Sequence, residues 1–515
     1  MSGPGAQPIY EEKIIHEAPA DICVLLEGTY PYVAGGVSSW THDLMRTLPH
    51  LKFALVTLMP PGAPRVFRYE MPDNVVSLST VTLQQLLPGK ARMRGMKPFF
   101  KALEQNLVTL TRGGGLESFR GLMGLLAARR ESLGQRILLD SRESWQMLTN
   151  MFQLEFADSS FLDYFWSWRA LLGGLYSALL GPLPAARVYH TVSTGYAGLY
   201  AARAAVETGR PVFVTEHGIY TNERRIEIAM ADWLHELPLT ALGIEPEGRD
   251  LKDFWIAAFA SYSLVCYQAC HQIVTLYEGN FPFQTADGAD PDKLRVIPNG
   301  INWPRFQNVQ HCREGRRPQI ALIGRVVPIK DVKTYIRACG ILKKLVPEVH
   351  CYMMGPTEED EDYYADCVAL AEQQGLGDSL EFTGRVRIDD YLGQIDVMVL
   401  TSISEAQPLV LLEAGAVGIP SVATDVGACR EMLFGRADED PPLGPAGAIT
   451  QLADPEATAL AIARLLTDDD WYRQCSGAIR ARVERYYQER DVARTYGELY
   501  ANLMDMPDDE QVKVA

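Results

Sequence analysis

Two cations and two carboxylates have the most specific spacing in this sequence. Arg325 and Lys330 lie five residues apart in the loop that follows a predicted strand. Glu405 and Glu413 lie eight residues apart, the first in a loop and the second on a helix that should begin near Pro408. Cations at the carboxyl end of a parallel strand suit a diphosphate, and carboxylates, which only accept hydrogen bonds, suit sugar hydroxyls. These residues therefore predict a site that holds a diphosphate together with a sugar.

A glycine pair and a histidine extend the candidate site to the first half of the chain. Gly35 and Gly36 stand between a predicted strand and a helix, where the backbone can approach a ligand closely and the helix N-terminus attracts an anion. His217 ends another predicted strand and precedes Gly218, and His190 is a second candidate at a strand end. Taken alone, each feature also fits a tight turn, a surface charge or a core histidine.

These residues need parallel sheets to position them. An apolar run at 21–27, a glycine-rich loop, a helical pattern and a second apolar run at 53–59 form the opening of a doubly wound α/β domain. The alternation of strands and helices starts again after residue 300. The sequence thus predicts the α/β class, with two Rossmann-like doubly wound parallel-sheet domains that face a cleft. We place the first domain at 1–305, with helical insertions at about 88–168 and 217–253, and the second at 306–484.

The first insertion contains an unusually basic segment. Residues 89–130 include nine basic residues and two acidic ones, with apolar residues at helical spacing among them. One interpretation is a solvated helical insertion. The other is a surface that docks on an anionic membrane face or an acidic partner.

The composition indicates several folded domains and argues against nucleic-acid binding. Hydrophobic residues make up 47% and charged residues 22% of the 515 residues, which is ordinary for globular domains. The formal net charge of −17 is opposite to what a phosphate backbone requires. Nine scattered cysteines, with Cys266 and Cys270 interpreted as core, and an N-terminus without a signal peptide predict a cytoplasmic protein. We expect no transmembrane span, so association with the inner membrane would go through partners.

Several motifs, taken in order, resemble a known enzyme family. They are GGVSSW, TEHG, IPNGIN, GRVVPIKD, FTGRV and SEAQPLVLLEAGAVGIPSVATDVG. Together they resemble the retaining GT-B glycosyltransferases of family GT4 over most of the chain, apart from the two insertions. The basic insertion, EGTYPYVAGGVSSW and EHGIYTNERRIE are most similar to the members that build exopolysaccharides. The chain departs from the family pattern at 406–408, where it has Ala-Gln-Pro in place of the usual Gly-Phe-Gly.

The resemblance implies an activity and a role for each matching residue. It implies that a hexose or N-acetylhexosamine moves with retention from a UDP-sugar to a growing exopolysaccharide, without a metal or other cofactor. Arg325 and Lys330 would hold the diphosphate, Glu413 the ribose, and Glu405 the donor sugar, while His217 would contact that sugar near its reacting carbon. Further donor-binding residues implied are Gly35, Gly36, Gly324, Gly384, Arg385, Val386, Pro408, Leu409 and Val410. The segment 485–515 would contain a helix that crosses back to the first domain.

Three other classes of protein with a Rossmann-like fold match the motifs of this sequence to different degrees. A nicotinamide-dependent oxidoreductase should show the spacing G-x-G-x-x-G, which Gly35 and Gly36 lack. A nucleotide-sugar epimerase or a sugar phosphorylase on the same fold stays open, as does a non-catalytic subunit that binds nucleotide sugars. The partners expected in the main interpretation are a UDP-sugar, a glycan acceptor and, through the basic insertion, a polysaccharide synthesis complex at the inner membrane.

Overall fold

The protein is described from a computed structural model, and the structure describes residues 10–14, 19–229, 250–306, 308–313 and 315–507. Part of the second predicted insertion and the end of the tail therefore lie outside the described residues. The chain divides into two compact units. The first unit comprises Met1–Thr275, Asn280–Val296 and Tyr496–Ala515, and the second comprises Leu276–Gly279 and Ile297–Thr495. The domain limits proposed from the sequence stay a prediction.

The first unit is built on an eight-stranded sheet. Its strands are β1 (Tyr10–Ile14), β2 (Ala20–Glu27), β3 (Phe53–Met59), β4 (Val75–Thr82), β5 (Ala186–Thr191), β6 (Val212–Glu216), β7 (Gln272–Thr275) and β8 (Leu294–Val296). They are ordered β1-β4-β3-β2-β5-β6-β7-β8, and every pair is parallel except β1 with β4. All seven residues of β3 are buried, as expected of a parallel strand that is covered on both faces.

Helices cover the sheet of the first unit. They are α1 (Gly36–Thr47), α2 (Met96–Thr109), α3 (Gly115–Ala127), α4 (Gln135–Leu138), α5 (Arg142–Glu155), α6 (Phe161–Leu180), α7 (Tyr196–Thr208), α8 (Tyr220–Ala229), α9 (Leu251–Ala269) and α10 (Phe281–Ala286). The side chains of Ser141, Ser160 and Asp250 cap α5, α6 and α9 by accepting from a backbone N–H three residues on. In α2, the apolar residues at helical spacing, Phe100, Leu103 and Leu107, are buried in the same hydrophobic core as residues of the sheet, so this insertion packs onto the first unit.

The second unit is built on a six-stranded sheet whose pairs are all parallel. Its strands are β9 (Gln319–Ile323), β10 (His350–Met354), β11 (Leu380–Gly384), β12 (Val397–Leu400), β13 (Ser421–Thr424) and β14 (Gly447–Thr450). The order is β11-β10-β9-β12-β13-β14, so the chain first builds outward on one side of β9 and then on the other. This is the strand order of a Rossmann sheet. The predicted fold class, two Rossmann-like parallel-sheet domains, is confirmed.

Helices likewise follow each strand of the second sheet. They are α11 (Trp303–Phe306), α12 (Val332–Leu345), α13 (Glu361–Gln373), α14 (Asp389–Leu392), α15 (Leu409–Val417), α16 (Cys429–Phe434), α17 (Pro455–Thr467), α18 (Asp469–Tyr486) and α19 (Glu489–Met504). Aspartates cap α12, α13, α17 and α18. From Tyr496 onward α19 belongs to the first unit, where Tyr496 and Tyr500 are completely buried. None of the described helices combines the length and the apolar character that a membrane crossing requires.

A buried ion pair anchors α18 in the second unit. The Arg482 guanidinium donates to both carboxylate oxygens of Glu439, with N–O distances of 2.6 and 2.9 Å. It also donates to the backbone carbonyls of Leu433 at 3.1 Å and Gly444 at 2.7 Å. The Arg482 side chain has 0% of its surface exposed. Water therefore cannot stabilise either charge, and each is compensated by the other.

We expect Arg482→Met to destabilise the second unit by about 3–5 kcal/mol, because Glu439 would stay buried without its cation. Urea unfolding followed by tryptophan fluorescence measures this loss. Arg473→Met is the matched control, since Arg473 pairs with Asp470 on the surface and its side chain is 74% exposed. A loss no larger than that of the control would contradict a structural role for the buried pair.

Candidate functional site

The strand order of the second sheet creates a crevice at β9 and β12. These strands are neighbours, with Ile320 opposite Val397 and Leu322 opposite Val399. The connections from β9 and from β12 lead to opposite sides of the sheet. In open α/β sheets, ligands bind beyond the carboxyl ends of the strands at such a switch point. The loops that leave β9 and β12 carry Lys330 and Glu405.

Hydrogen bonds tie these two loops together. The buried Thr401 hydroxyl donates to the carbonyl oxygens of Lys330 at 3.1 Å and Asp331 at 3.0 Å. The backbone N–H of Ile403 donates to the carbonyl of Ile329 at 2.9 Å. The positions of the two loops are therefore fixed relative to each other by the Thr401 hydroxyl and by main-chain groups.

The structure brings Lys330 and Glu405 into direct contact. Lys330 Nζ donates to Glu405 Oε1 at 2.5 Å, and Ser402 Oγ donates to the same oxygen at 2.6 Å. The side chains of Lys330 and Glu405 are 20% and 13% exposed, respectively. The Lys330 side chain runs past Gly324, where a Cβ would lie 3.6 Å from Lys330 Cε. Lys330, predicted to bind the diphosphate, and Glu405, predicted to bind the sugar, thus form a partly buried ion pair.

A close backbone approach holds Glu405 from the other side. Gly427 has a φ of +52°, and a Cβ at this position would lie 2.2 Å from the carbonyl oxygen of Glu405. The next residue, Ala428, donates its N–H to the carbonyl of Ala406 at 2.7 Å. Only glycine fits at position 427, so the loop after β13 supports the loop that carries Glu405.

Arg325 lies apart from this ion pair. Its guanidinium donates to Glu359 at 2.8 Å, and Arg385 donates to Glu358 at 2.9 Å. Both pairs are on the surface, where such interactions contribute little and are easily exchanged. The structure therefore leaves both arginines able to exchange a carboxylate for a phosphate.

The loops after β9, β10 and β11 are joined through glycines. Gly324 donates its N–H to the carbonyl of Met354 at 2.9 Å, and Gly355 donates to the carbonyl of Gly384 at 2.9 Å. Gly384 has a φ of +65° and precedes the half-buried Val386. These bonds hold the two predicted donor-binding glycines of this unit, Gly324 and Gly384, close to the carboxyl ends of β9, β10 and β11.

Glu413 lies on the second turn of α15 and is strongly desolvated. Burial raises the pKa of its carboxyl to about 7, while Arg305 lowers the pKa and Asp389 raises it. Arg305 and Asp389 form a bidentate ion pair with distances of 2.8 and 3.1 Å. The predicted residues Pro408, Leu409 and Val410 form the start of α15. Proline has no backbone N–H to donate. The first N–H groups at the start of α15, which have no acceptor within the helix, are therefore those of Leu409 and Val410.

Two residues of this site escaped the sequence analysis. Gln407 is buried, and its Oε1 accepts a hydrogen bond from the backbone N–H of Asn299 at 2.6 Å. Ser402 holds Glu405 as described. The departure from the family pattern at 406–408 could have pointed to Gln407, because a glutamine at a buried position needs a hydrogen-bond partner. The pairing itself joins residues that are far apart in sequence.

The first unit has a pocket at its own switch point, next to β2 and β5. The pocket has a volume of about 510 Å³, which is within the usual range for small ligands. Its lining includes Glu27, Thr29, His217, Glu223 and Trp255. Carboxylates, hydroxyls and aromatic rings thus surround one cavity.

The two histidine candidates have different environments. His217 packs its ring against Trp40 at 4.6 Å, and its Nε2 is enclosed without a hydrogen-bond partner among the described residues. Burial lowers the pKa of His217 to about 4, so the imidazole is neutral at pH 7. His190 is a core residue, because its ring nitrogens lie 2.8 Å from Tyr500 Oη and 2.9 Å from Thr215 Oγ1.

The last predicted site residues, Gly35 and Gly36, lie at the start of α1, and the cysteines and carboxylates remain to be considered as metal ligands. Gly35 and Gly36 are exposed at the N-terminus of α1, which has no side-chain cap. No group of three or more His, Cys, Asp or Glu side chains in the described ranges is arranged to hold a metal ion. Cys266 and Cys270 are buried with their sulfurs 3.9 Å apart. The metal-independent reaction stays a prediction.

We expect Glu413→Gln to stabilise the second unit at pH 8 and to have little effect at pH 5. The folded-state pKa of about 7 lies above the ordinary value of 4.5. The carboxyl therefore contributes stability below about pH 4.5 that is lost as the pH rises through 7, up to about 3 kcal/mol. Urea unfolding at both pH values measures the difference. Glu372→Gln, an exposed glutamate on α13, is the control, and equal pH profiles for both variants would contradict the desolvation of Glu413.

Two family profiles match the chain. Residues 20–292 match the "Domain of unknown function (DUF3492)", and residues 306–482 match "Glycosyl transferases group 1". The chain is 29% identical over 232 residues to a D-inositol 3-phosphate glycosyltransferase of Streptomyces scabiei. That alignment covers 42% of this chain and 50% of the relative, so the chain spans half the length of this curated relative.

Solved structures share the fold over nearly the whole chain. Alr3699/HepE of Anabaena in complex with UDP matches with a TM-score of 0.58 and 13% identity, covering 94% of this chain and 100% of that protein. A sucrose-phosphate synthase of Thermosynechococcus elongatus matches with a TM-score of 0.56 and 17% identity, covering 94% and 99%. At this identity the likeness concerns the fold alone. The chain belongs to the family defined by the DUF3492 domain, and its second unit carries a domain of the group 1 glycosyltransferases.

Proposed function

We propose that the protein is a retaining glycosyltransferase that moves a hexose or N-acetylhexosamine from a UDP-sugar to a glycan. The observation that carries this proposal is the contact of Lys330 with Glu405 at the switch point of the second sheet. A cation that meets a sugar-binding carboxylate suits a ligand whose phosphate and sugar are adjacent, as they are in a nucleotide sugar. The match to group 1 glycosyltransferases and the UDP complex of a protein with this fold support the same donor.

The donor-binding roles follow from the second unit. Lys330 and Arg325 bind the diphosphate, and the N–H groups that begin α15 add positive potential. Glu405 accepts hydrogen bonds from the donor sugar through Oε2, which no described residue occupies. Glu413 accepts from the ribose, and the edge formed by Gly384 and Val386 borders the base.

The reaction needs stabilisation of a leaving diphosphate. The bond between the anomeric carbon and the β-phosphate oxygen breaks, and the nucleoside diphosphate leaves with the electron pair. The acceptor hydroxyl oxygen forms the new bond on the same face of the sugar, and its proton passes to the departing phosphate. Fixed cations lower this barrier because they are already oriented where negative charge grows. No metal or other cofactor takes part in this proposal.

Residues of the first unit contribute through neutral groups. His217 contacts the transferred sugar near its reacting carbon, and its neutral imidazole can donate or accept a hydrogen bond there. The exposed amides of Gly35 and Gly36 supply further donors to a phosphate. Both roles come from the family resemblance, and the exposure of the glycines and the unpaired Nε2 of His217 support them.

The acceptor we propose is a growing exopolysaccharide. Within the glycosyltransferases, the motifs EGTYPYVAGGVSSW and EHGIYTNERRIE and the basic insertion resemble PelF, the cytosolic glycosyltransferase of Pel exopolysaccharide synthesis. In that role the enzyme acts in the cytoplasm during biofilm formation. Product analysis separates transfer from its alternatives, because an epimerase or a phosphorylase yields a free epimer or a sugar phosphate.

We expect Lys330→Ala to lower kcat roughly 100-fold or more at saturating UDP-sugar, because one oriented charge is lost from the leaving-group site. UDP release measures turnover, and thermal shifts with a panel of nucleotide sugars measure donor binding. Lys333→Ala is the matched control, since Lys333 lies on α12 and pairs with Asp366 at 2.8 Å on the surface. Turnover within a few-fold of the wild type would refute the role of Lys330.

The basic segment is proposed to bring the enzyme to a membrane complex. Its exposed cations form no ion pair with any described residue; they are Lys90, Arg92, Arg94, Lys97 and Lys101. Other basic residues of the segment are neutralised, as Arg112 is by Glu155 and Arg130 by Glu207. The free cations therefore cluster at its start, where an anionic surface or an acidic partner can pair with them.

Reversing Arg92, Arg94 and Lys97 to glutamate should shift the protein from the membrane fraction to the supernatant of cell lysates, because attraction becomes repulsion. Quantitative immunoblots of the two fractions measure the change. Reversing Lys343, Lys344 and Arg337 on α12 of the second unit changes the charge by the same amount. Unchanged partitioning of the first variant would remove the docking proposal.

A further inference from the structure

The pocket at β2 and β5, called here the first-unit pocket, has polar atoms that the protein leaves unsatisfied. Nε2 of His217 and Oγ1 of Thr29 are enclosed and have no hydrogen-bond partner among the described residues. Enclosed polar atoms normally have partners, and each exception calls for an explanation. Because both atoms belong to residues that line one cavity, a ligand with hydroxyl groups can satisfy them.

Three carboxylates border the first-unit pocket, and they differ in how they are satisfied. Glu216 is buried and accepts from Tyr267 Oη at 2.6 Å and from Gln284 Nε2 at 2.8 Å. Glu27 accepts from Tyr220 Oη at 3.0 Å, from the N–H of Ala197 at 3.1 Å and from Ser193 Oγ at 3.3 Å. All these donors are neutral, so neither carboxylate is neutralised by an ion pair with a described residue.

Glu223 is the carboxylate with unused acceptor capacity. In the described part of the chain no donor or cation is bonded to its carboxylate, and burial raises its pKa. Its Oε1 lies over Gly218, where a Cβ would be only 2.2 Å away. A glycine at position 218 therefore leaves room for the Glu223 carboxylate against the backbone.

The pocket offers a phosphate little compensation for these charges. The lining contains one guanidinium, that of Arg224, among the described residues. It pairs with Glu227 at 2.8 Å and lies over the Tyr220 ring at 5.1 Å, while its Nε is enclosed without a hydrogen-bond partner among the described residues. The remaining base, His217, is neutral because burial lowers its pKa to about 4. A phosphate monoester would thus face the carboxylates of Glu27 and Glu223 with one guanidinium, which also neutralises Glu227, and this charge balance costs binding energy.

The other walls suit an uncharged ring. Trp255, Phe259 and Tyr220 line the same cavity. Pockets of this kind combine apolar surface with a few polar groups that fix orientation. The apolar face of a sugar ring can lie on the aromatic side chains while its hydroxyls meet Glu223, Thr29 and His217.

We infer that the first-unit pocket binds the acceptor as a phosphate-free sugar and that Glu223 sets this selectivity. This inference rests on the proposed glycosyltransferase function. It separates the protein from a relative named for D-inositol 3-phosphate, because the same acceptor would place its phosphate among carboxylates.

Matched sugar pairs test the inference on the full-length protein. Inositol with inositol 3-phosphate, and glucose with glucose 6-phosphate, differ only in the phosphate. Tryptophan fluorescence titrations report binding, since Trp255 lines the pocket. We expect each neutral sugar to bind roughly tenfold or more tightly than its phosphorylated partner. Glu223→Gln should narrow that ratio several-fold by improving phosphate binding, and Thr29→Val should weaken both members of each pair.

Glu117→Gln is the matched control, because Glu117 is exposed on α3, pairs with Arg120 on the surface and undergoes the same charge change; its ratio should equal that of the wild type. Tighter binding of the phosphorylated sugars, no binding of either member, or an unchanged ratio in Glu223→Gln would each overturn the inference. Calorimetry with UDP tests the proposed function separately. UDP binding with any of these failures rejects only the acceptor inference, whereas loss of UDP binding rejects the glycosyltransferase proposal.

Discussion

The bonds between the loops after β9 and β12 are the constraint on which the second unit's site depends. One hydroxyl, that of Thr401, accounts for two of them, and the main chain of Ile403 supplies a third. Without these bonds, Lys330 and Glu405 would be two long side chains on separate loops, and the entropy of bringing them together would oppose their contact. With them, the charges are oriented before a ligand arrives, and little reorganisation is left for the reaction.

Both sheets have a switch point between neighbouring parallel strands, β2 with β5 and β9 with β12, yet the side chains at the two switch points carry different charge. In the second unit, cations dominate the loops after the first strand, and each meets a carboxylate that a ligand can replace or join. In the first unit, Glu27 and Glu223 face a cavity whose guanidinium is already paired. The topology provides a crevice in each case, and the side chains decide that one crevice suits a diphosphate and the other an uncharged ring.

Local patterns were sufficient to predict most of the strands and the fold class, because apolar runs at the right spacing report burial directly. They also selected Lys330 and Glu405, but their contact depends on a pairing across 75 residues that no local pattern contains. The strands β1, β4 and β14 were missed. In β4, Val75–Thr82 mixes serine and threonine with its apolar residues. Glu223 was missed as well, because on a helix rich in charged residues nothing distinguishes the one that turns toward a cavity.

Desolvation links binding and stability in both sites. Burial raises the pKa of Glu413 to about 7 and lowers that of His217 to about 4, so the protein favours the neutral form of each group more than water does. Such groups weaken the free protein, and a ligand that donates to Glu413 or meets the enclosed Nε2 of His217 removes part of that cost. His190, by contrast, is a core histidine whose ring nitrogens lie within hydrogen-bond distance of Tyr500 and Thr215. The enclosed Nε2 of His217, which has no partner among the described residues, is what distinguishes His217 from His190.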